Sequence, residues 1–296
     1  MIIVVAGGTG LLGAALVSAL RTEGHRVVVL TRRPTHDGDV FWSPGGGERT
    51  WTAVLSDADA VINLAGSSIA DGRWTTARKT AIRESRVQST RDLVRAIAHA
   101  KRPPPVFVSS SAIGIYGTRG DEPVTEATAP GSDFLASVCR EWEALATQAA
   151  STSRVVLLRT GVVLDRKGGA LPQLALPFKL FAGGRLGSGR QYVSWIHLHD
   201  WLAMVKWLLA SASLSGAVNV TAPFPVTNAE FAQHLGRVLG RPAWLKTPAF
   251  ALRLVLGEMA DALVLGGQRV LPAEAQKRGF VFRYPTLEPA LLDIYT

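Results

Sequence analysis

The sequence predicts an α/β protein with a doubly wound parallel sheet, followed by a smaller, mainly helical C-terminal lobe. Apolar runs rich in β-branched residues alternate with helical segments up to about residue 165. The turns after those runs are rich in Gly, Ser or Thr, and the carboxyl ends of parallel strands meet at one edge of a sheet. We therefore expect one common cleft. The predicted strands are residues 2–5, 26–30, 60–65, 106–111, 154–159 and 218–221.

The first of these turns carries the most specific motif. Residues 2–5 predict a buried strand, and residues 14–20 predict the helix after the turn. Between them, Gly8, Gly10 and Gly13 satisfy G-x-G-x-x-G, whose glycines allow a tight turn, the approach of a pyrophosphate and close helix packing. A glycine-rich turn in another kind of α/β protein is the alternative. The motif predicts a Rossmann-type dinucleotide site at Gly7, Gly8, Thr9, Gly10, Leu11, Leu12 and Gly13.

The end of the second predicted strand indicates which dinucleotide binds. An NAD site usually has an acidic residue here, which accepts hydrogen bonds from the ribose hydroxyls. This chain has Thr31, Arg32 and Arg33 instead. A guanidinium group suits a phosphate dianion, so the sequence favours NADP over NAD. Two solvated surface arginines are the alternative interpretation.

Composition narrows the class of protein. The chain has 296 residues, of which 47% are hydrophobic, and a formal net charge of +9. No run of about five or more like charges occurs, so a nucleic-acid partner is not indicated. An anionic cofactor and an anionic substrate account for part of the excess positive charge.

Cysteine usage and hydropathy indicate the compartment. Cys139 is the single cysteine, which excludes an intramolecular disulfide and fits a reducing cytoplasm. The first predicted strand starts at the second residue, which leaves no room for a signal peptide. The apolar stretch 249–267 contains Arg253, Glu258 and Asp261 and predicts an amphipathic helix pair, not a membrane span. We expect a cytoplasmic protein without a membrane partner.

The chain divides into two predicted parts. Residues 1–165 form the NADP-binding domain, and parts of 190–225 return to it. Residues 166–296 form a C-terminal substrate-binding lobe, in which 241–296 are helical with proline breaks and cover the cleft as a lid. The oligomeric state is open, and a homodimer is one option.

Three helices have clear sequence signals. Residues 74–100 and 137–150 predict long helices of the first part. Residues 228–239 predict a helix of the lobe, with Thr227 as its N-cap and Gly240 as its stop.

Further motifs occur in a fixed order after the glycine turn. They are N-L-A-G at 63–66, S-S-S-A-I-G-I-Y-G at 109–117, R-T-G-V-V at 159–163 and W-I-H-L-H-D at 195–200. With these motifs the chain resembles the extended short-chain dehydrogenase/reductase superfamily, the NAD-dependent epimerase/dehydratase group. C-x-x-W-E at 139–143, G-S-G at 187–189 and T-N-A-E-F at 227–231 resemble one subgroup, the "epimerase family protein" set with a C-terminal domain of unknown function.

The resemblance covers essentially the whole chain and implies NADP binding. The implied contacts are Thr31, Arg32 and Arg33 at the 2′-phosphate, Leu64, Ala65 and Gly66 along the cofactor, Arg86 reaching back from its helix, and Val162 at the nicotinamide end. Spacing alone is equally compatible with Arg86 as an ordinary solvated helix residue.

The resemblance also implies a catalytic Ser or Thr, a Tyr, and a Lys four residues after the Tyr. In this scheme the Lys lowers the Tyr pKa so that the phenol can exchange a proton near neutral pH. Ser111 lies at the family position of the serine. The Tyr–Lys pair is absent: Phe134 has a ring without a hydroxyl, and Val138 or Cys139 lies where the lysine should be.

Other residues could supply chemistry. Tyr116 is a weaker catalytic candidate, for which a structural role is favoured. His197 or His199 could act as an acid or base, although a similar His-x-x-Asp segment is common in the superfamily. Lys179 and Arg185 could bind an anionic substrate or be solvated. No His/Cys/Asp/Glu spacing indicates a metal.

Three functional hypotheses follow. The first is an NADP(H)-dependent oxidoreductase or epimerase-like enzyme that acts on an unidentified small molecule, with Ser111 as its best catalytic candidate. The second is an NADP(H)-sensing protein without turnover that regulates a protein partner. The third, a nucleic-acid-binding protein, has only the net charge in its favour.

Overall fold

The computed structural model describes residues 1–46 and 50–296. The described strands are β1 (Ile2–Ala6), β2 (Arg26–Thr31), β3 (Asp39–Phe41), β4 (Ala60–Asn63), β5 (Val106–Ala112), β6 (Pro123–Val124), β7 (Arg154–Thr160), β8 (Val162–Leu164), β9 (Gly184–Leu186), β10 (Tyr192–Val193), β11 (Trp195–His197), β12 (Gly216–Val220), β13 (Val226–Thr227), β14 (Leu245–Thr247) and β15 (Arg269–Val270). The helices are α1 (Leu11–Thr22), α2 (Thr76–His99), α3 (Phe134–Thr147), α4 (Ala170–Lys179), α5 (Leu198–Ala210), α6 (Asn228–Leu239), α7 (Ala249–Leu256), α8 (Ala273–Lys277) and α9 (Leu287–Tyr295).

The central sheet is parallel and doubly wound, which confirms the predicted fold class. Its strand order is β12-β7-β5-β4-β1-β2-β3, and all of its pairings are parallel. From β1 the chain first winds outward through β2 and β3, and then returns to β4 on the other side of β1. A ligand crevice is expected at this reversal, outside the carboxyl ends of β1 and β4.

Alternating side chains of the central strands fill two hydrophobic layers. Ile3 and Val5 pack on one face with the apolar sides of α1 and α5. Val4 and Ala6 pack on the other face, among buried residues of α2. Because successive strand residues point to opposite faces, a fully apolar strand such as β1 must be covered on both sides. The sheet edge above this core is therefore rigid, and it positions the turns described below.

Helix boundaries follow the capping residues. The helix expected at 137–150 begins earlier, at Phe134, because the Asp133 side chain accepts a hydrogen bond from the Ala136 N–H at 2.8 Å. The helix expected at 228–239 has those bounds: Thr227 and Glu230 form a reciprocal capping box, and Gly240 ends the helix with a φ of 61°.

Residues 241–296 are mainly helical, as the sequence predicts, and they also contribute two short strands. In this region β14 pairs with β9, and β15 pairs with β6 of the first half of the chain. These strands have two or three residues each, and their partners lie far away in sequence. No local pattern could therefore have predicted them.

The expected amphipathic helix pair at 249–267 consists of α7 and a π-helical turn at Asp261–Leu265. No residue of α7 is buried in the described structure, although its partly buried Leu256 packs against a hydrophobic cluster. Over residues 1–46 and 50–296, no helix combines the length and apolar character needed to cross a membrane.

The lobe contacts the first part of the chain near the starts of α2 and α3. Met259 packs with Trp74 and Ile82, and Leu256 and Leu263 lie against the same cluster. Part of the lobe thus lies beside the segment that follows β4.

Candidate functional site

The turn after β1 needs glycines for two different reasons. Gly7 has a φ of 79°, and a Cβ there would lie 2.6 Å from the carbonyl carbon of Leu64. A Cβ on Gly13 would lie 2.1 Å from the carbonyl oxygen of Gly7. Both glycines are therefore required by packing within the protein, which holds α1 tightly against the turn.

Gly10 differs from these two glycines. Its φ of −75° suits any residue, and the nearest atom to an added Cβ is the Gly7 oxygen at 3.5 Å, an ordinary contact. Packing within the described chain therefore does not require a glycine here. Gly10 is the N-cap of α1, no described side chain caps it, and the first turn carries no acidic residue. Because Gly10 has no side chain at this uncapped helix N-terminus, a pyrophosphate can approach the backbone closely.

The predicted 2′-phosphate residues lie together at the end of β2. Thr31 is buried, and its hydroxyl accepts a hydrogen bond from the Arg33 N–H at 3.2 Å, which shapes the turn. Arg32 and Arg33 are exposed, and neither forms an ion pair with any residue that the structure describes. The arrangement offers two free cations for an anion.

The segment after β4 is held rigid across from Gly7. The side-chain NH₂ group of Asn63 donates to the Thr90 hydroxyl at 2.9 Å, and the side-chain Oδ1 of Asn63 accepts from the Ala65 N–H at 3.1 Å. The Leu64 N–H donates to the Ala6 carbonyl at 2.8 Å. The structure therefore brings Leu64, Ala65 and Gly66 to the crevice expected between β1 and β4.

Arg86 reaches this segment from α2. Its guanidinium carbon would lie 3.3 Å from a Cβ on Gly66, and it stacks 5.3 Å from the ring centre of Trp142. Arg86 also donates to the Ile82 carbonyl at 2.9 Å. Burial lowers the pKa of Arg86, and no carboxylate of the described residues pairs with it. Arg86 is a partly desolvated cation rather than a solvated helix residue.

Ser111 lies in a buried polar network. It is 4% exposed, and its hydroxyl donates to Glu143 at 2.6 Å. The Glu143 carboxylate also accepts two hydrogen bonds from Arg159, at 2.9 and 2.8 Å. Burial acts to lower the pKa of Arg159, but hydrogen bonds and charge from Glu143 outweigh it and raise the pKa. Ser111 is thus fixed by an ion pair that the sequence analysis did not identify.

Tyr116 belongs to the same network, and its geometry favours the structural role. The side chain is 1% exposed. Its hydroxyl donates to Asn219 at 2.6 Å and accepts from Arg159 at 2.9 Å. Burial raises the pKa of Tyr116 to about 12, so the phenol holds its proton strongly at neutral pH.

The start of α3 contains no substitute for the missing Tyr–Lys pair. Phe134 packs edge-on against Trp74, with ring centres 5.4 Å apart. Val138 and Cys139 are buried. Burial raises the pKa of the Cys139 thiol to about 12, and the nearby charge of Glu143 acts in the same direction. Val138 has no ionisable group, and the Cys139 thiol holds its proton too strongly to supply it near pH 7.

The two histidines of the W-I-H-L-H-D segment lie at the junction with the C-terminal segment. His197 is buried, accepts a hydrogen bond from the His199 N–H at 3.0 Å and stacks 4.2 Å from Tyr284. Burial lowers the pKa of His197. Asp200 accepts hydrogen bonds from the backbone of Arg283 and Tyr284. These contacts indicate that residues 195–200 hold the C-terminal segment around Tyr284 in place.

The remaining predicted positions lie in β8, α4 and β9. Val162 donates its N–H to the Ser194 carbonyl at 2.8 Å and pairs with Trp195, while Lys179 and Arg185 are exposed. Within residues 1–46 and 50–296, no group of His, Cys, Asp and Glu is arranged to hold a metal ion.

Glu143 and Arg159 were missed by the sequence analysis, although each left a signal. Arg159 interrupts the apolar run of β7, and Glu143 lies one turn after Cys139 on the buried face of α3. A charged residue at a core-facing position indicates a partner of opposite charge, because burying an unpaired charge is costly.

The fold and the glycine turn define a Rossmann-type dinucleotide-binding protein with a C-terminal lobe. The model of the NAD-dependent epimerase/dehydratase family matches residues 3–221, and the model of a domain of unknown function matches residues 247–294. The chain belongs to the NAD-dependent epimerase/dehydratase family.

Named relatives agree with this assignment. An epimerase family protein of Mycobacterium bovis is 43% identical over 98% of this chain and 96% of its own length. The chloroplastic SDR39U1 homologue of Arabidopsis thaliana is 42% identical over 99% of this chain and 86% of its own length. The crystal structure of human epimerase family protein SDR39U1 with NADPH aligns with a TM-score of 0.92 and 34% identity, over 100% of this chain and 99% of that one.

Proposed function

We propose that the protein is an NADP(H)-dependent oxidoreductase or epimerase-like enzyme that acts on a small molecule. The observation that carries this proposal is the turn after β1. Gly10 leaves an uncapped helix N-terminus bare, although packing within the described chain would accept a side chain there. A pyrophosphate group explains both features.

Arg32 and Arg33 favour the phosphorylated dinucleotide. They are exposed and unpaired in the described structure, and the turn contains no carboxylate to bind ribose hydroxyls. The Thr31 hydroxyl supports the same turn. That the similar human SDR39U1 was crystallised with NADPH supports NADP(H) as the cofactor of this chain.

The other half of the cofactor would lie along Leu64, Ala65, Gly66 and the backbone of Val162. When bound, the nicotinamide supplies hydride transfer. The Ser111 hydroxyl has one proton, and that proton is directed to Glu143. Ser111 can then only accept a further hydrogen bond, which suits a substrate hydroxyl better than a carbonyl oxygen.

A titration with NADPH and NADH tests the cofactor. The wild-type protein should bind NADPH more tightly, and Arg32→Ala should reduce that preference about tenfold by removing a charge-assisted contact. Arg26→Ala is the matched control, because Arg26 is exposed at the opposite end of the same strand. Equal affinity for both dinucleotides, or no binding, would contradict the proposal.

Turnover separates this enzyme from an NADP(H) sensor without catalysis. NADPH oxidation should be measured over a panel of carbonyl compounds, and NADP⁺ reduction over a panel of alcohols. Activity that is lost in Ser111→Ala and kept in Ser110→Ala supports the enzyme, because Ser110 is the neighbour on the same strand. Tight binding without turnover on either panel would favour the sensor.

A further inference from the structure

Arg86 is a cation that has no ion-pair partner among the described residues. Trp142 and the Ile82 carbonyl hold its guanidinium in place, but neither neutralises it. Two neighbouring cations differ in this respect: Arg159 pairs with Glu143, and Arg78 lies 3.6 Å from Asp71. Holding an unpaired charge away from water is costly, so its retention indicates that the charge has a role in the crevice.

The position of Arg86 assigns it to one half of the crevice. It lies against Gly66 after β4, and its charge acts on Cys139 of α3. Trp142, on which Arg86 stacks, is followed by Glu143, which accepts the hydrogen bond of Ser111 near the end of β5. β5 and β4 lie on the opposite side of β1 from β2, and Arg32 directly follows β2. A dinucleotide across this edge has its adenosine toward β2 and its nicotinamide toward β5.

We infer that Arg86 is the positive charge of the nicotinamide half-site and makes the protein bind the reduced cofactor more tightly than the oxidised one. This inference rests on the proposed function. Val138 or Cys139 lies where the family would have its lysine, so in this chain a positive charge reaches the site from α2 instead. The oxidised nicotinamide ring is positive and the reduced ring is neutral, so a nearby guanidinium group repels only the oxidised form.

The test compares the dissociation constants of NADPH and NADP⁺ for the same variants. The wild-type protein should bind NADPH about tenfold more tightly. Arg86→Met removes the charge and keeps most of the side-chain length, and it should bring the ratio close to one. Arg86→Lys keeps the charge and should restore the preference. A tenfold ratio corresponds to a shift of about 30 mV in the potential of the bound two-electron couple.

Arg32→Ala is the matched control, because Arg32 lies at the adenosine end and should act equally on both redox forms. The inference is overturned if Arg86→Met weakens NADPH and NADP⁺ by the same factor, or if the wild-type protein does not prefer NADPH. A wild-type protein that binds neither form would instead refute the proposed function. Circular dichroism and thermal unfolding show whether Arg86→Met is folded, and Arg86→Lys tests the charge independently.

Discussion

The two halves of the crevice use their polar groups in opposite ways. Around α1 and β2, no described side chain caps Gly10, the first turn of α1 has no acidic residue, and Arg32 and Arg33 form no ion pair with the described residues. Around β5 and β7, Ser111 and its network partners are bonded to one another and buried. The half around α1 and β2 therefore has unpaired cations and an uncapped helix N-terminus available to an external anion. In the half around β5 and β7, most polar groups have partners within the protein.

The difference shows which part of the family chemistry this chain retains. The groups that we propose bind a dinucleotide are present, and Arg32 and Arg33 have no ion-pair partner among the described residues. The tyrosine and lysine that transfer a proton are absent, and Tyr116 is bonded to Asn219 and Arg159. Cofactor binding and proton transfer can therefore be altered separately, and variants in the two halves should have different consequences.

The largest effect on stability is expected from breaking the buried network around β5 and β7. Arg159→Met leaves the Glu143 carboxylate buried without its cation, which should lower the free energy of unfolding by about 3–5 kcal/mol. Urea denaturation measures the change. The double variant Arg159→Met/Glu143→Leu should recover most of the loss. A loss below about 1 kcal/mol in the single variant would show that the pair is not buried as described.

In the half of the crevice around α1 and β2, two glycine variants should separate an effect on stability from an effect on NADPH binding. Gly13→Ala places a Cβ 2.1 Å from the Gly7 oxygen and should cost about 3 kcal/mol of stability. Gly10→Ala meets nothing closer than 3.5 Å, so the apo protein should keep its stability while its NADPH affinity falls about tenfold. Thermal unfolding and a binding titration measure both quantities. Equal loss of stability in the two variants would refute the distinction.

The smallest effect should come from Cys139 at alkaline pH. Its pKa is raised from 9.0 to about 12, mainly by burial. Between these values the unfolded chain loses the thiol proton and the folded chain keeps it, so stability falls as the pH rises above 9. From pH 8 to pH 10 the wild-type protein should lose about 1 kcal/mol more than Cys139→Ala. Parallel pH dependence of the two proteins in urea would show that the thiol is not buried.

Features that depend on neighbouring residues could be predicted from the sequence. The turn at Gly7–Gly13 and the caps Thr227 and Gly240 have short-range signals, and they occur where expected. The parallel sheet followed from alternating apolar runs. The sequence also showed that Tyr and Lys are absent from α3, because that required only a motif and its spacing.

Features that depend on distant pairing could not be predicted. Glu143 and Arg159 are 16 residues apart on different elements, and only the fold brings them together. The same holds for the stacking of Arg86 on Trp142 and for β14 and β15, whose partners lie far away in the chain. Such contacts form through tertiary packing, which overrides local propensity.

The pairing of β15 with β6 has a consequence for how the chain folds. Residues 269–270 complete a ladder begun at 123–124, and α9 packs on α6 within one apolar cluster. The regions matched by the two family models share this strand pairing, so we expect them to fold as one unit. A chain ending near residue 225 would expose the edges of β6 and β9, and exposed strand edges promote aggregation. Deletion of the region of unknown function would thus remove part of the structural support of the cofactor domain.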